Sequence, residues 1–492
     1  MTSTIFRNAR LVGRSEKPRT VTVIDGVIEG ISTERAPDGD RVIDLHGRYL
    51  GPGLWDNHVH FSQWALVRQR LDISLATSAR HAASLIAESL KNHAPLVGQP
   101  FVAFGFRDGL WPDTPHFSIL DAVAPWVAVV LISADLHCVW LNTTGLRHFG
   151  LGSHPTGLLR EQAAFDITLA LSTVSPDVLD GWVREAAVAA AIRGVVGIVD
   201  MEMAPTLDDW PRRIAAGIDQ LRVRCAVYTP QLERSVSRGL RSDDVLPETD
   251  GLVTMGPFKI ITDGSLNTRT AYCHDAYAGL EQEATGHGVS TVPFGELVTL
   301  LRRASSNGIT PSIHAIGDAA NQLALDAFEA AGCGGVIEHA QLIAETDFGR
   351  FARLGVSASV QPEHAMDDRD VADLYWAGRT DRAFALASLT KAGASLRFGS
   401  DAPVAPLDPW ISMAAAVSRS RDNRPPWHPE QRSDLPIAYA ASTDGRTTVS
   451  VGDVADLVVT GYDPLACSDT QLRSMEVAAT MIAGRFTHFE LH

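Results

Sequence analysis

From residue 54 onward, short apolar runs alternate with Ala- and Leu-rich stretches of helical period. Runs at residues 54–60, 195–200, 221–229, 258–262, 311–316, 336–339, 356–360 and 395–400 read as strands, most of them followed by a helical stretch such as 318–331 or 345–354. Strands of this kind, buried on both faces and separated by helices, form parallel sheets. Eight β-then-α units predict a closed (β/α)8 barrel of TIM type, an α/β fold whose active site lies at the C-terminal strand ends. A doubly wound open sheet fits less well, because no Gly-x-Gly-x-x-Gly turn follows an early strand.

One interval breaks the alternation. About 135 residues separate the first two barrel strands, far more than a βα connection needs. That interval has strand-like runs at 101–106 and 127–133 and helical pattern at 76–92 and 159–172. It predicts an inserted α/β subdomain, residues 67–175, over the barrel mouth. The barrel is then residues 51–66 with 176–439. Hairpin-like runs at both chain ends predict a composite β-sandwich of residues 1–50 and 440–492.

Composition narrows the class. A hydrophobic fraction of 45% and a charged fraction of 20% are ordinary for a globular protein. A formal charge of −16 argues against nucleic acid or an anionic membrane as partner. The longest nearly unbroken apolar stretch, residues 122–134, contains Pro125 and is too short to span a bilayer. The five cysteines are scattered without a Cys-x-x-Cys pair and residues 1–20 hold no apolar signal core, so a cytoplasmic location is expected.

Candidate chemistry falls on the strand ends. His58 and His60 are two residues apart on one strand, so both rings share a face and can reach one metal ion. Alone the pair is weak, since the chain has 17 histidines. Lys259 lies in the fourth strand, His314 and His339 end the fifth and sixth, and Asp401 follows the eighth. Such nitrogen and oxygen donors suit one or two divalent ions, Zn²⁺ foremost. A lysine between apolar strand neighbours is costly to bury charged, and its neutral amine can add CO₂ to become a bridging carbamate. Each residue alone has a duller explanation: a snorkelling lysine, a hydrogen-bonded histidine, a helix-capping aspartate. None of these explains why all six end strands of one barrel.

These residues resemble the metal-dependent amidohydrolase superfamily. Leu110-Trp-Pro112, Val139-Trp-Leu-Asn142, Asp263-Gly-Ser-Leu266, His314-Ala-Ile-Gly-Asp318, Glu338-His-Ala340 and Gly399-Ser-Asp-Ala-Pro403 are similar to its N-substituted formamide deformylase-like branch (amidohydrolase family 3). The similarity runs from the first strands to residue 459. It implies a TIM-like barrel with a composite β-sandwich, one or two divalent metals, and hydrolysis. Leu136 stands where relatives tend to have Gly, so the pocket beside His137 is expected to differ.

The expected reaction is hydrolysis of an amide-type C–N bond by metal-activated water, with Asp401 as both ligand and proton carrier. Trp111, His137, Arg269 and His364 are candidates for holding substrate. Ester or carbamate hydrolysis and single-metal deamination remain open on the same site, and a non-catalytic binding protein is the reading from another class. Scattered aromatics in the insertion favour a fairly hydrophobic small-molecule substrate, and a homodimer would be unsurprising.

Overall fold

The computed structural model describes residues 3–14, 17–33, 41–92, 95, 99–171 and 174–491. At its centre are eight parallel strands: β1 (Leu54–Val59), β2 (Val195–Asp200), β3 (Arg222–Val227), β4 (Val253–Ile261), β5 (Pro311–Ala315), β6 (Gly335–His339), β7 (Val356–Val360) and β8 (Leu396–Phe398). They are hydrogen-bonded in chain order from β1 to β8. β8 has only three residues, and no continuous ladder joins it to β1. Closure comes just above it: Val59 bridges Ala402, the His60 amide donates to the Ala402 carbonyl (2.9 Å), and the Asp401 amide donates to the His58 carbonyl (2.7 Å). Gly399 permits this approach, because a Cβ there would lie 2.6 Å from the His58 nitrogen.

All six residues of β2, Val195-Val-Gly-Ile-Val-Asp200, are buried, as β-branched strands enclosed on both faces should be. The helices around the barrel end where the sequence provides a stop. Asp318–Ala331 runs into Gly332 at φ +69° and Phe348–Leu354 into Gly355 at φ +65°, left-handed positions that cost glycine little. One large core joins barrel and helices, from Leu54 and Val195 to Trp410 and Tyr439.

The long interval after β1 forms a second sheet of five strands, in the order Leu158–Arg160, Cys138–Leu141, Val129–Ser133, Phe101–Phe106, Leu71–Asp72. Its two faces bury separate cores, one around Ile86, Phe101 and Trp140, the other around Val130, Leu146 and Ile167. The helical pattern expected from residue 159 is corrected: residues 158–160 form an edge strand and the helix is Gln162–Leu171. Pairing of Val139 with Leu159 decided this, since a short apolar run can serve either element. The last residue of that expectation, Ser172, lies outside the described residues. Three contacts tie the sheet to the barrel mouth. Arg107 pairs with Asp367 (2.9 Å), Asn267 donates to Asp135 (3.0 Å), and Thr270 donates to Glu161 (3.4 Å).

Strands from both chain ends form the third sheet. Tyr49–Pro52 lies between Ser3–Leu11 and Leu457–Thr460, and Val477–Ile482 and Arg485–Phe489 extend it. Phe6 and Val21 from one end share a core with Leu457 and Met481 from the other. Among the described residues, no helix is long and apolar enough to cross a membrane.

Candidate metal centre

The strand ends bring the candidates together. His58 Nε2 lies 3.5 Å and His60 Nε2 3.4 Å from the same oxygen, Oδ1 of Asp401. These separations exceed a normal charge-assisted hydrogen bond. They match the edge of a tetrahedron of donors about 2.0–2.1 Å from a central Zn²⁺, which is roughly 3.3–3.4 Å. One ligand atom from each of His58, His60 and Asp401 lies within 4.8 Å of the others, and the same holds for His339, His364 and Asp401. Asp401 belongs to both groups.

His314 stands beside the second group, its ring centroid 4.3 Å from that of His339. Its Nε2 turns to Asp263 Oδ1 (3.3 Å) and the Gly264 carbonyl (3.4 Å). Lys259 is buried, and its Nζ has no hydrogen-bond partner. Burial holds that amine below its ordinary pKa, against the opposing charges of Glu338 and Asp401. An orphaned buried amine beside two carboxylates, with the buried Nδ1 of His339 also unpartnered, is a donor set with spare valence. Such groups are rare in folded proteins, and cations would satisfy them.

Electrostatics follow the crowding. Burial pushes the Asp401 carboxyl up, but His58, His60 and His339 outweigh it and hold it well below the carboxylate range. Burial, reinforced by His314, pushes His339 far below the ordinary imidazole value, which favours the neutral form that ligates.

One participant escaped the sequence reading. Glu338 accepts from His58 Nδ1 (2.7 Å) and from the Ser312 hydroxyl (2.7 Å). It thereby fixes the His58 ring with Nε2 toward Asp401, as outer carboxylates do for metal-ligating histidines. Burial raises this carboxyl, yet the charges of His58 and Lys259 hold it at about 2. In an unbroken strand Glu338 and His339 would face opposite ways. His339 has φ +71° and Asp401 φ +55°, and this turn at the end of β6 brings both neighbours inward. Left-handed backbone at non-glycine residues costs energy and clusters at functional sites.

The substrate candidates separate. His137 precedes the strand Cys138–Leu141 of the second sheet, with Nδ1 2.9 Å from Glu161 Oε2. His364 joins His339 and Asp401, with its Nε2 3.2 Å from the Ser400 carbonyl oxygen. Arg269 lies over the Tyr375 ring (5.4 Å). Trp111 is taken up inside the subdomain: its indole donates to the Ala76 carbonyl (3.1 Å), and its ring packs on Phe106 and Trp140.

A parallel eight-stranded barrel with imidazoles and a carboxylate converging on one end defines a metal-dependent hydrolase. The chain belongs to the amidohydrolase family, whose model matches residues 41–488. It is 28% identical to the N-substituted formamide deformylase of Arthrobacter pascens, covering 98% of this chain and 97% of that one. It is 26% identical to Protein LONG AFTER FAR-RED 3 of Arabidopsis thaliana, covering 91% of this chain and 82% of the relative. The crystal structure of an uncharacterized metal-dependent hydrolase from Pyrococcus horikoshii OT3 shares the fold, with TM-score 0.77, 22% identity and coverage of 95% and 99%.

Proposed function

We propose that the protein hydrolyses an amide-type C–N bond in a fairly hydrophobic small molecule, an N-acyl or N-formyl amine or a similar compound. The observation that carries this reading is the pair of 3.4 and 3.5 Å separations from His60 and His58 to one oxygen of Asp401. The full-length similarity to a formamide deformylase supports the choice of bond.

His58, His60 and Asp401 would hold one divalent ion. His339, with His314 and His364 beside it, offers nitrogen for a second. Zn²⁺ suits this nitrogen and carboxylate set. Lys259, with its depressed amine, would add CO₂ through a new N–C bond and release a proton, becoming an anionic oxygen ligand. Bound by these residues, a divalent ion would supply acidification of water and polarisation of a carbonyl. Asp401 takes the proton from the attacking water and delivers it to the leaving nitrogen. Glu338 keeps His58 in one tautomer throughout.

The test is a hydrolysis screen of Zn²⁺- and bicarbonate-treated protein over N-formyl amines, N-acyl amino acids, cyclic amides, carbamates and esters, with metal analysis alongside. Turnover of an amide that Asp401→Asn abolishes while metal content is largely kept supports the reading. Turnover of esters alone, or none with full metal loading, overturns it.

A further inference from the structure

The inserted subdomain contributes one polar side chain that the hydrolytic scheme leaves unused. His137 and Glu161 face each other just past the ladder pairing Cys138–Leu141 with Leu158–Arg160, and the Glu161 amide donates to the His137 carbonyl (2.9 Å). Both turns are made by residues in left-handed backbone, Leu136 at φ +66° and Glu161 at φ +50°. Non-glycine residues stay in that region only where the surroundings over-determine them. Here they do. Asp135 accepts from the His137 amide (3.2 Å) and from Asn267 (3.0 Å), while Glu161 accepts from His137 Nδ1 and from Thr270. The loop after β4, which carries Asn267 and Thr270, thus fastens both acidic partners of His137 from the barrel side. The Phe165 ring, 5.2 Å away and edge-on, backs the imidazole.

With Nδ1 committed to Glu161, only Nε2 is left to act; the Thr270 that Glu161 holds accepts through its carbonyl from the Gly264 amide (3.3 Å), and the Gly264 carbonyl meets His314 Nε2 (3.4 Å), which places the pair beside the strand ends. We propose that His137, positioned by Glu161, donates a hydrogen bond from Nε2 to the carbonyl oxygen of the substrate, so that the inserted subdomain completes the catalytic site of the barrel. This rests on the amide-hydrolase reading above. A donor requires the imidazolium. Burial opposes it, but the hydrogen bond to Glu161 and the charges of Asp135 and Glu161 prevail and raise the pKa of the ring. The residues that reach its acidic partners from the β4 loop, Asn267 and Thr270, carry no charge. Arg160 is paired with Asp108 (3.4 Å), and Arg269 is directed at Tyr375.

Removing a donor aimed at a developing oxyanion costs about 10²–10³ in kcat. His137→Ala is expected to lose that much kcat on an N-formyl aromatic amine, with KM changed less and metal content unchanged. Glu161→Gln keeps an acceptor for Nδ1 but removes the charge that favours the imidazolium, so the alkaline limb of kcat/KM should move to lower pH. A merely structural role would not move that limb. If His137→Ala fails to fold, His137→Gln, which retains a donor, should keep more activity than His137→Leu. Variants within about threefold of wild type in kcat, or an unshifted limb in Glu161→Gln, overturn the proposal. Wild-type protein that turns over no amide overturns the parent reading instead, and this one with it.

Discussion

The two ends of the barrel are both rich in charge, but they use it in opposite ways. At the base, Arg224 grips Asp444 with two hydrogen bonds (2.9 and 2.8 Å), and Arg222 grips Asp456 with two more (2.6 and 3.1 Å). Each base carboxylate has a partner of matching shape, and the strand starts are tied to the C-terminal segment. At the rim, Asp401 Oδ1 stands 3.5 Å from His58 and 3.4 Å from His60, Lys259 Nζ has no partner, and His339, Ala340 and Asp401 accept left-handed backbone. Paired charge at the base only ties two segments of the chain, whereas incompletely paired charge at the rim awaits a cation. A cavity of about 150 Å³ at the base is lined by Arg224, Thr310 and Asp444 and reaches Glu338.

The difference is sharpest at Asp401. Asp401→Asn should lower kcat by about 10²–10⁴-fold, the range for loss of a positioned acid–base group, as read by steady-state kinetics at equal metal loading. Near-normal turnover would make the rim as inert as the base. Glu338→Gln comes next. It leaves His58 a weaker partner, and a loss of about 10–100-fold in metal affinity is expected by competition with a chelator. Dialysis against a chelator should lower the melting temperature of wild type, because an ion that binds only the folded state stabilises it. An unchanged melting temperature would mean that the rim holds no ion. At the base the effect should be smallest. A double-mutant cycle on Arg224 and Asp444, both partly exposed, should return a coupling of about 0.2–1 kcal/mol and leave kcat unaltered. A coupling of several kcal/mol or a fall in kcat would erase the contrast.

Much of this was legible along the chain. β2 and β7 match the runs at residues 195–200 and 356–360, because β-branched residues buried on both faces leave a continuous apolar signature. His58, His60, Lys259, His339 and Asp401 stand out along the chain because polar donors at strand ends sit where the apolar runs stop. Glu338 was passed over because it precedes His339, and alternation places neighbours on opposite faces. The signal was the juxtaposed Glu-His pair at a strand end. The short strands Leu71–Asp72, Cys138–Leu141 and Leu158–Arg160 were also missed. A two- to four-residue strand carries too little periodicity to read, and its identity comes from the partner beside it.

The sequence by itself determined the order of elements, the α/β barrel and the kinds of donor at its rim, since hydrophobic period and residue chemistry are local properties. Only the tertiary structure decided which donors meet, that Glu338 orients His58, that His364 stands with His339, and that the partners of His137, Asp135 and Glu161, are tied to the loop after β4. Those facts depend on barrel closure through Gly399 and Ala402 and on backbone turning at His339 and Asp401, and both arise from contacts between residues hundreds of positions apart.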